Sequence, residues 1–183
     1  MKILTCSSIL FMCVVLFVRS ASAYSFSARL GAYDFIDSGA RDFYIAAPSV
    51  QFTFGFFNDS LVSLELTSGI TYTYTAANMG HHFLMVPLYT TFLINIPTGV
   101  KFLPYVGAGI GVYYKRDENV STHAVVNMVT YGYHFTVGFQ VPIRGPVRFI
   151  FDMKYHLIMV NMIEAINLSG FNTSIGIGYS FGM

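Results

Sequence analysis

The residues of this chain that could do chemistry are few, and most of them stand in segments where apolar and polar side chains alternate. Carboxylates, cations and imidazoles can transfer protons, bind ions or neutralise one another. We expect Arg29 to pair with Glu65, and Lys154 to pair with Asp152 or Glu65. The set predicted to share one polar face consists of Arg29, Glu65, His134, Gln140, Asp152, Lys154 and His156.

The histidines do not have the spacing of a hydrolase or of a metal site. A serine hydrolase places its nucleophile beside a histidine base and an acidic partner. None of the five histidines precedes a serine by two residues; His134 precedes Thr136, and the next acidic residue is Asp152. His81 and His82 are adjacent but have no third ligand near them in sequence. The sequence therefore predicts no catalytic residue, no metal, no cofactor and no enzymatic activity.

The composition narrows the environment in which these residues work. Of the 183 residues only 10% are charged and 54% are hydrophobic, and the net charge is +1. An ordinary soluble protein has about 25% charged residues, and disordered chains are far less apolar. No basic excess points to a nucleic-acid partner. The length predicts one domain, and the composition is typical of a membrane protein.

Residues 1–23 have the pattern of a secretory signal peptide. Lys2 precedes an apolar run over residues 3–18, and Ala21 and Ala23 flank Ser22 as a small-residue cleavage site. Arg19 is unusual there, so an uncleaved anchor stays as an alternative. Both cysteines, Cys6 and Cys13, lie in this segment. We therefore expect a domain over residues 24–183 without disulfides or thiol chemistry.

The remaining chain alternates with the period of a β-strand rather than a helix. In the clearest segment, Val50, Phe52 and Phe54 alternate with Gln51 and Thr53. A stretch free of charge over residues 66–100 is interrupted by glycine and proline, and its apolar part is shorter than the ~20 residues of a spanning helix. Eight strands are predicted, over residues 24–35, 49–57, 61–74, 83–96, 103–114, 128–141, 147–157 and 171–181.

The two faces of these strands indicate which side meets lipid. Gly107, Gly109 and Gly111 alternate with bulky aliphatic residues in the fifth strand. A small membrane barrel packs small and polar groups inside and shows its bulky face to lipid. We therefore predict an all-β fold, an eight-stranded antiparallel up-and-down transmembrane β-barrel. A soluble lipocalin-like barrel, with the faces reversed, remains the alternative.

The connections follow the short and long alternation of outer-membrane barrels. Short links are predicted at residues 58–60, 97–99 and 142–146, and longer ones at residues 36–46, 75–82, 115–127 and 158–170. An even strand number would place both mature termini on the periplasmic side. The last connection is unusually apolar; it could cover the barrel mouth, admit apolar molecules, or continue the neighbouring strands.

Aromatic residues near the predicted strand ends are interpreted as the two girdles of a membrane barrel. The outer girdle would be formed by tyrosines and the inner one mainly by phenylalanines. The predicted set is Phe56, Phe57, Tyr72, Tyr74, Phe102, Tyr113, Tyr114, Tyr131, Tyr133 and Tyr179.

Two segments resemble a known group of proteins. The segment PYVGAGIG at residues 104–111 is similar to a strand of the OmpW-like and opacity-type outer-membrane protein families, and IGIGYSF at residues 175–181 resembles their last strand. The missing tryptophan departs from OmpW-like members, and Gly182 and Met183 follow the terminal aromatic residue. The resemblance implies a porin-like protein of the cell envelope, in contact with outer-membrane lipid and lipopolysaccharide and inserted by the barrel insertion machinery.

Two functions follow as hypotheses. The first is a narrow path for small hydrophobic molecules or ions, and the resemblance to OmpW-like proteins implies a small hydrophobic ligand. The second is a surface structural or adhesion-type interaction protein with a plugged barrel. The polar face would be a path or binding site in the first case, and a paired network that fills the lumen in the second.

Overall fold

The computed structural model describes residues 24–44, 46–58, 61–74, 80–159 and 167–181, without the side chains of residues 42, 43, 57 and 58. The predicted signal peptide at residues 1–23 lies outside these ranges and stays a prediction. The apolar connection predicted at residues 158–170 is described only at its ends.

Eight antiparallel strands form one closed barrel in chain order, because β1 pairs with β2 on one side and with β8 on the other. The predicted fold class is confirmed. The strands are β1 Tyr24–Phe35, β2 Ala47–Asn58, β3 Val62–Tyr74, β4 His81–Asn95, β5 Leu103–Asn119, β6 Ala124–Arg144, β7 Val147–Ile158 and β8 Gly170–Phe181. Both described ends, Tyr24 and Phe181, lie at the edge that carries the short links, here called the terminus end; the opposite edge is the loop end.

The alternation of side chains produces an apolar outside and a mixed inside. In β2, Phe52 is 52% exposed whereas Gln51 and Thr53 are each 2% exposed. Gly109 of β5 faces inward, where an added Cβ would lie 2.5 Å from the ring of His134. A soluble barrel would turn the bulky row inward, so this outward apolar row favours lipid as the surrounding medium.

The connection between β5 and β6 differs from the sequence prediction. Residues 115–127 were expected to form a long loop, but both strands continue to a four-residue turn at residues 120–123. The charged run from Lys115 to Glu118 has low β-propensity, yet each residue pairs with both neighbouring strands. His123 adopts a positive φ of 54° in this turn, a conformation for which histidine is among the more tolerant residues.

A six-residue helix, α1 Ser38–Phe43, lies in the connection between β1 and β2. Asp37 caps its N-terminus because its side chain accepts a hydrogen bond of 3.1 Å from the backbone N–H of Ala40. Ala40 and Tyr44 are buried. The connection thus folds onto the barrel mouth. Within the described ranges no helix has the length and hydropathy needed to cross a membrane.

Candidate functional site: the filled lumen

A layer of charged side chains crosses the lumen toward the terminus end. Arg29 of β1 forms an ion pair with Asp152 of β7 and a second one, 3.2 Å long, with Glu65 of β3. Arg29, Glu65 and Asp152 expose 2%, 7% and 0% of their surfaces. Buried charges of this kind are tolerated only when they are paired and hydrogen-bonded.

Asp152 is the centre of this layer. Its carboxylate lies 2.7 Å from Lys154 Nζ and accepts a hydrogen bond of 2.8 Å from the Ser174 hydroxyl. The Tyr105 hydroxyl donates a longer one of 3.4 Å. Tyr105 is on β5 and Arg29 is on β1, four strands apart in a ring of eight. Side chains from opposite walls therefore meet at one carboxylate. We call Arg29, Glu65, Asp152 and Lys154 the charged layer.

A layer of histidines and tyrosines lies next to the charged layer. The rings of His134 and His156 are 5.6 Å apart, and Tyr89 packs 4.6 Å from His134. Thr91 Oγ1 is 2.9 Å from His134 Nε2, and the Tyr113 hydroxyl is 2.8 Å from His156 Nδ1. Both histidines are buried. The two predicted lumen histidines thus fill space between tyrosines.

Apolar side chains fill the lumen at the loop end, where α1 covers it. Tyr44, which follows α1, packs 5.0 Å from Phe83 and 5.7 Å from Phe35. The Tyr33 hydroxyl donates a hydrogen bond of 2.8 Å to the carbonyl oxygen of Leu168, which fixes the end of the last connection. We call this cluster the apolar plug; it consists of Tyr33, Phe35, Ala40, Tyr44, Ala47, Phe83, Met85, Tyr113, Ile158 and Leu168.

Gln140, the remaining residue of the predicted polar set, lies at the terminus end. Its side-chain oxygen accepts a hydrogen bond of 3.2 Å from Arg148. Both residues line a recess of about 20 Å³ together with Glu65 and several serines. Such a recess has room for about one water molecule. It leads from the terminus end to the charged layer.

One aromatic assignment of the sequence analysis is wrong. Tyr113 was placed in the outer girdle, but it is 0% exposed and belongs to the apolar plug. Adjacent residues of a strand point to opposite faces, so only Tyr114 of this pair can face outward, and it is 37% exposed. The side chain of Phe57 lies outside the described part. The others point away from the lumen: Phe56, Tyr72, Tyr74, Phe102, Tyr131, Tyr133 and Tyr179.

The sequence analysis did not assign several residues to the lumen, although the alternation of side chains along the strands indicates their direction. Tyr105 and Tyr113 are spaced by even numbers of residues from Gly107, Gly109 and Gly111, so they lie on the same inward face of β5. Tyr33 and Phe35 likewise share the parity of Arg29. For α1, the signal was a capping residue, Asp37, just before the helix.

The described contacts of Asp152 and of His81 can be compared with those of a catalytic triad. The carboxylate of Asp152 contacts Arg29, Lys154 and Ser174. At the loop end, His81 Nδ1 lies 3.2 Å from Asp117, but its Nε2 lies 3.0 Å from the side-chain amide of Asn119 rather than a hydroxyl. Among the described residues, no three histidine, cysteine or acidic side chains gather as metal ligands would.

Comparisons with known proteins identify the fold. No family model matches the chain, and no curated protein matches it. Solved structures do: Neisserial surface protein A aligns with a TM-score of 0.69 at 14% identity, over 88% of this chain and 98% of that one. OprG of Pseudomonas aeruginosa aligns with a TM-score of 0.68 at 15% identity, over 89% and 97%. Ail, the attachment invasion locus protein of Yersinia pestis, aligns with a TM-score of 0.60 at 10% identity, over 88% of this chain and 99% of that one.

Proposed function

We infer the function from the fold, which is that of the small eight-stranded outer-membrane β-barrel proteins of bacteria. We propose that it is a non-enzymatic outer-membrane protein with a closed lumen, which works through the surface at its loop end as a structural or interaction protein. Of the two hypotheses from the sequence, the plugged barrel agrees better with the geometry.

The observation that carries this proposal is the convergence on Asp152. Arg29 from β1 and Tyr105 from the opposite β5 both contact its carboxylate, so the cross-section is occupied from wall to wall. The interior of an eight-stranded barrel is just wide enough for side chains. A hydrated ion would have to separate buried ion pairs and then pass the apolar plug, and both steps are costly.

The loop end offers a surface for contacts. Residues 116–128, here called the rim ribbon, comprise the end of β5, the turn and the start of β6. Val120, Val125 and Val126 are 41%, 41% and 56% exposed in it. Val125 and Val126 are adjacent in β6, so the rim ribbon exposes apolar surface on both of its faces. Exposed apolar surface is typical of interaction sites. The rim ribbon therefore supports a role in contacts rather than in transport.

Conductance in planar lipid bilayers tests the closed lumen. We expect the purified full-length chain to produce no discrete current steps, whereas a general porin inserted under the same conditions provides the positive control. Arg29→Ala and Tyr105→Ala open only the charged layer; combined with Tyr44→Ala and Phe83→Ala, which open the apolar plug, they should raise the frequency of current steps. Reproducible steps from the unchanged protein would instead support the narrow path for ions.

The orientation of the barrel is part of the proposal: the loop end faces the exterior and both mature termini face the periplasm, after removal of residues 1–23 and insertion by the barrel insertion machinery. Residues 24–183 contain no cysteine, so single cysteines can be labelled selectively. Ser121→Cys, in the exposed turn, should react with a membrane-impermeant maleimide on intact cells. Ile143→Cys, exposed at the terminus end, should react only after lysis; the reverse pattern would overturn the orientation.

A further inference from the structure

Two hollows lie one above the other on the outward wall formed by β3 to β6. The lower hollow, of about 410 Å³, is an apolar crevice. The backbone at Gly111 and Gly132 forms part of its floor, and its walls are mainly Leu88, Ile110, Val112, Tyr131 and Tyr133. The upper hollow, of about 420 Å³, is lined by Tyr72, His82, Arg116, Glu118 and His123, among others.

The strand register aligns the two hollows. In β5, Arg116, Tyr114 and Val112 all face outward, and they pair with Leu84, Val86 and Leu88 of β4. Arg116 and Val112 are four residues apart, which at about 3.3 Å per residue is roughly 13 Å along the strand. A hollow that contains the Arg116 guanidinium therefore stands directly above an apolar crevice, with one row of side chains between them.

The upper hollow offers a phosphate one guanidinium and two imidazoles, beside one carboxylate, that of Glu118. Arg116 is exposed, and of its five N–H donors one, on Nη2, bonds Glu118 at 2.9 Å. An exposed pair of this kind is weak, so a phosphate can compete for the guanidinium in a bidentate geometry. His82, which is held by a hydrogen bond to Tyr72, and His123 add imidazole donors.

We propose that this wall binds one phosphorylated glycolipid of the outer leaflet, of the lipid A type, with a phosphate at Arg116, His82 and His123 and an acyl chain in the crevice. Every outer-membrane barrel contacts lipid in a general way. Here, a hollow for a headgroup lies directly above a crevice for an acyl chain, so the two together can hold one particular lipid molecule. The choice of glycolipid rests on the proposed orientation, which places the upper hollow in the outer leaflet.

Native mass spectrometry of the full-length chain in detergent tests the site. The probe is bis-phosphorylated lipid A, compared with the same lipid after dephosphorylation and with phosphatidylglycerol. We expect one retained lipid A, and about tenfold weaker retention in Arg116→Gln, because a charge-assisted hydrogen bond is lost. Dephosphorylated lipid A should bind the unchanged protein as weakly as bis-phosphorylated lipid A binds Arg116→Gln.

Matched variants separate the site from general lipid contact. Thr90→Phe fills the crevice with a side chain compatible with lipid, and should also reduce retention. Arg144→Gln, at the exposed terminus end, and Ala28→Phe, on the outward face of β1, should retain lipid A like the unchanged protein. Gel mobility before and after heating verifies that each variant is folded.

Two results would overturn the site: equal retention by Arg116→Gln and Arg144→Gln, or equal retention of phosphatidylglycerol and lipid A by the unchanged protein. Neither result bears on conductance. Conversely, current steps in a bilayer would overturn the closed lumen and leave the binding measurement unaffected, so the two proposals fail separately.

Discussion

The charged layer and the apolar plug fill two parts of the same lumen by different means. Arg29 in the first and Tyr33 in the second lie on the same face of β1, four residues apart. The charged layer depends on specific partners, since each ion would be costly without its counter-ion. The apolar plug depends mainly on volume, because apolar side chains of similar size can replace one another, although its residues Tyr33 and Tyr113 also form hydrogen bonds. A barrel interior can thus be closed by pairing or by packing.

Arg29→Ala should have the largest effect on stability, because it leaves two buried carboxylates, those of Glu65 and Asp152, without this cation. We expect a loss of about 3 to 5 kcal/mol in the free energy of unfolding. The chain has no tryptophan, so urea unfolding in detergent is followed by circular dichroism. Arg144→Ala, at an exposed position, is the control, with a change within about 0.5 kcal/mol. Equal losses in both variants would show that pairing does not govern the charged layer.

Gly109→Ala should have an intermediate effect. The added methyl would lie 1.9 Å from the backbone oxygen of Thr90 and 2.5 Å from the His134 ring, and overpacking of this kind costs about 1 to 3 kcal/mol. Gly80→Ala is the matched control, since a Cβ there meets nothing within 4 Å. In the same unfolding measurement, adding His134→Ala to Gly109→Ala should recover only the part of the loss that the ring causes, because the contact with the Thr90 backbone remains. No recovery would mean that backbone contacts, and not the histidine, require the glycine.

Phe83→Leu in the apolar plug should have the smallest effect, about 1 kcal/mol, because the replacement stays apolar and of similar volume. The same urea titration provides the value. A loss as large as that of Arg29→Ala would break the distinction between the two regions, since it would show that the apolar plug also depends on one specific side chain.

The strands could be predicted closely because the period of two persists through each of them. For β7 the predicted bounds are residues 147–157 and the observed ones are Val147–Ile158. The failures occur where local preference and alternation disagree. Lys115 to Glu118 are charged and read locally as a loop, yet pairing with β4 and β6 extends the strand.

The candidate site was only partly accessible from sequence. Alternation places Arg29 and Asp152 on the same interior face, but it does not say which cation meets which carboxylate, because that depends on strand stagger around the closed barrel. Tyr113 shows the opposite case. Its position in the alternation of β5 predicts that it faces inward, but the sequence analysis assigned it to the outer aromatic girdle. The aligned hollows depend on surface shape, which alternation does not encode.

The contact between Arg29 and Asp152 also bears on how the barrel assembles. The two residues are 123 positions apart, and β7 is held beside β1 only through β8, which must first pair with β1 at the seam. An open sheet therefore lacks this ion pair, and the contact forms at closure. The Arg29–Asp152 ion pair therefore stabilises the closed barrel relative to an open sheet, and it holds together the seam at which the first and last strands meet.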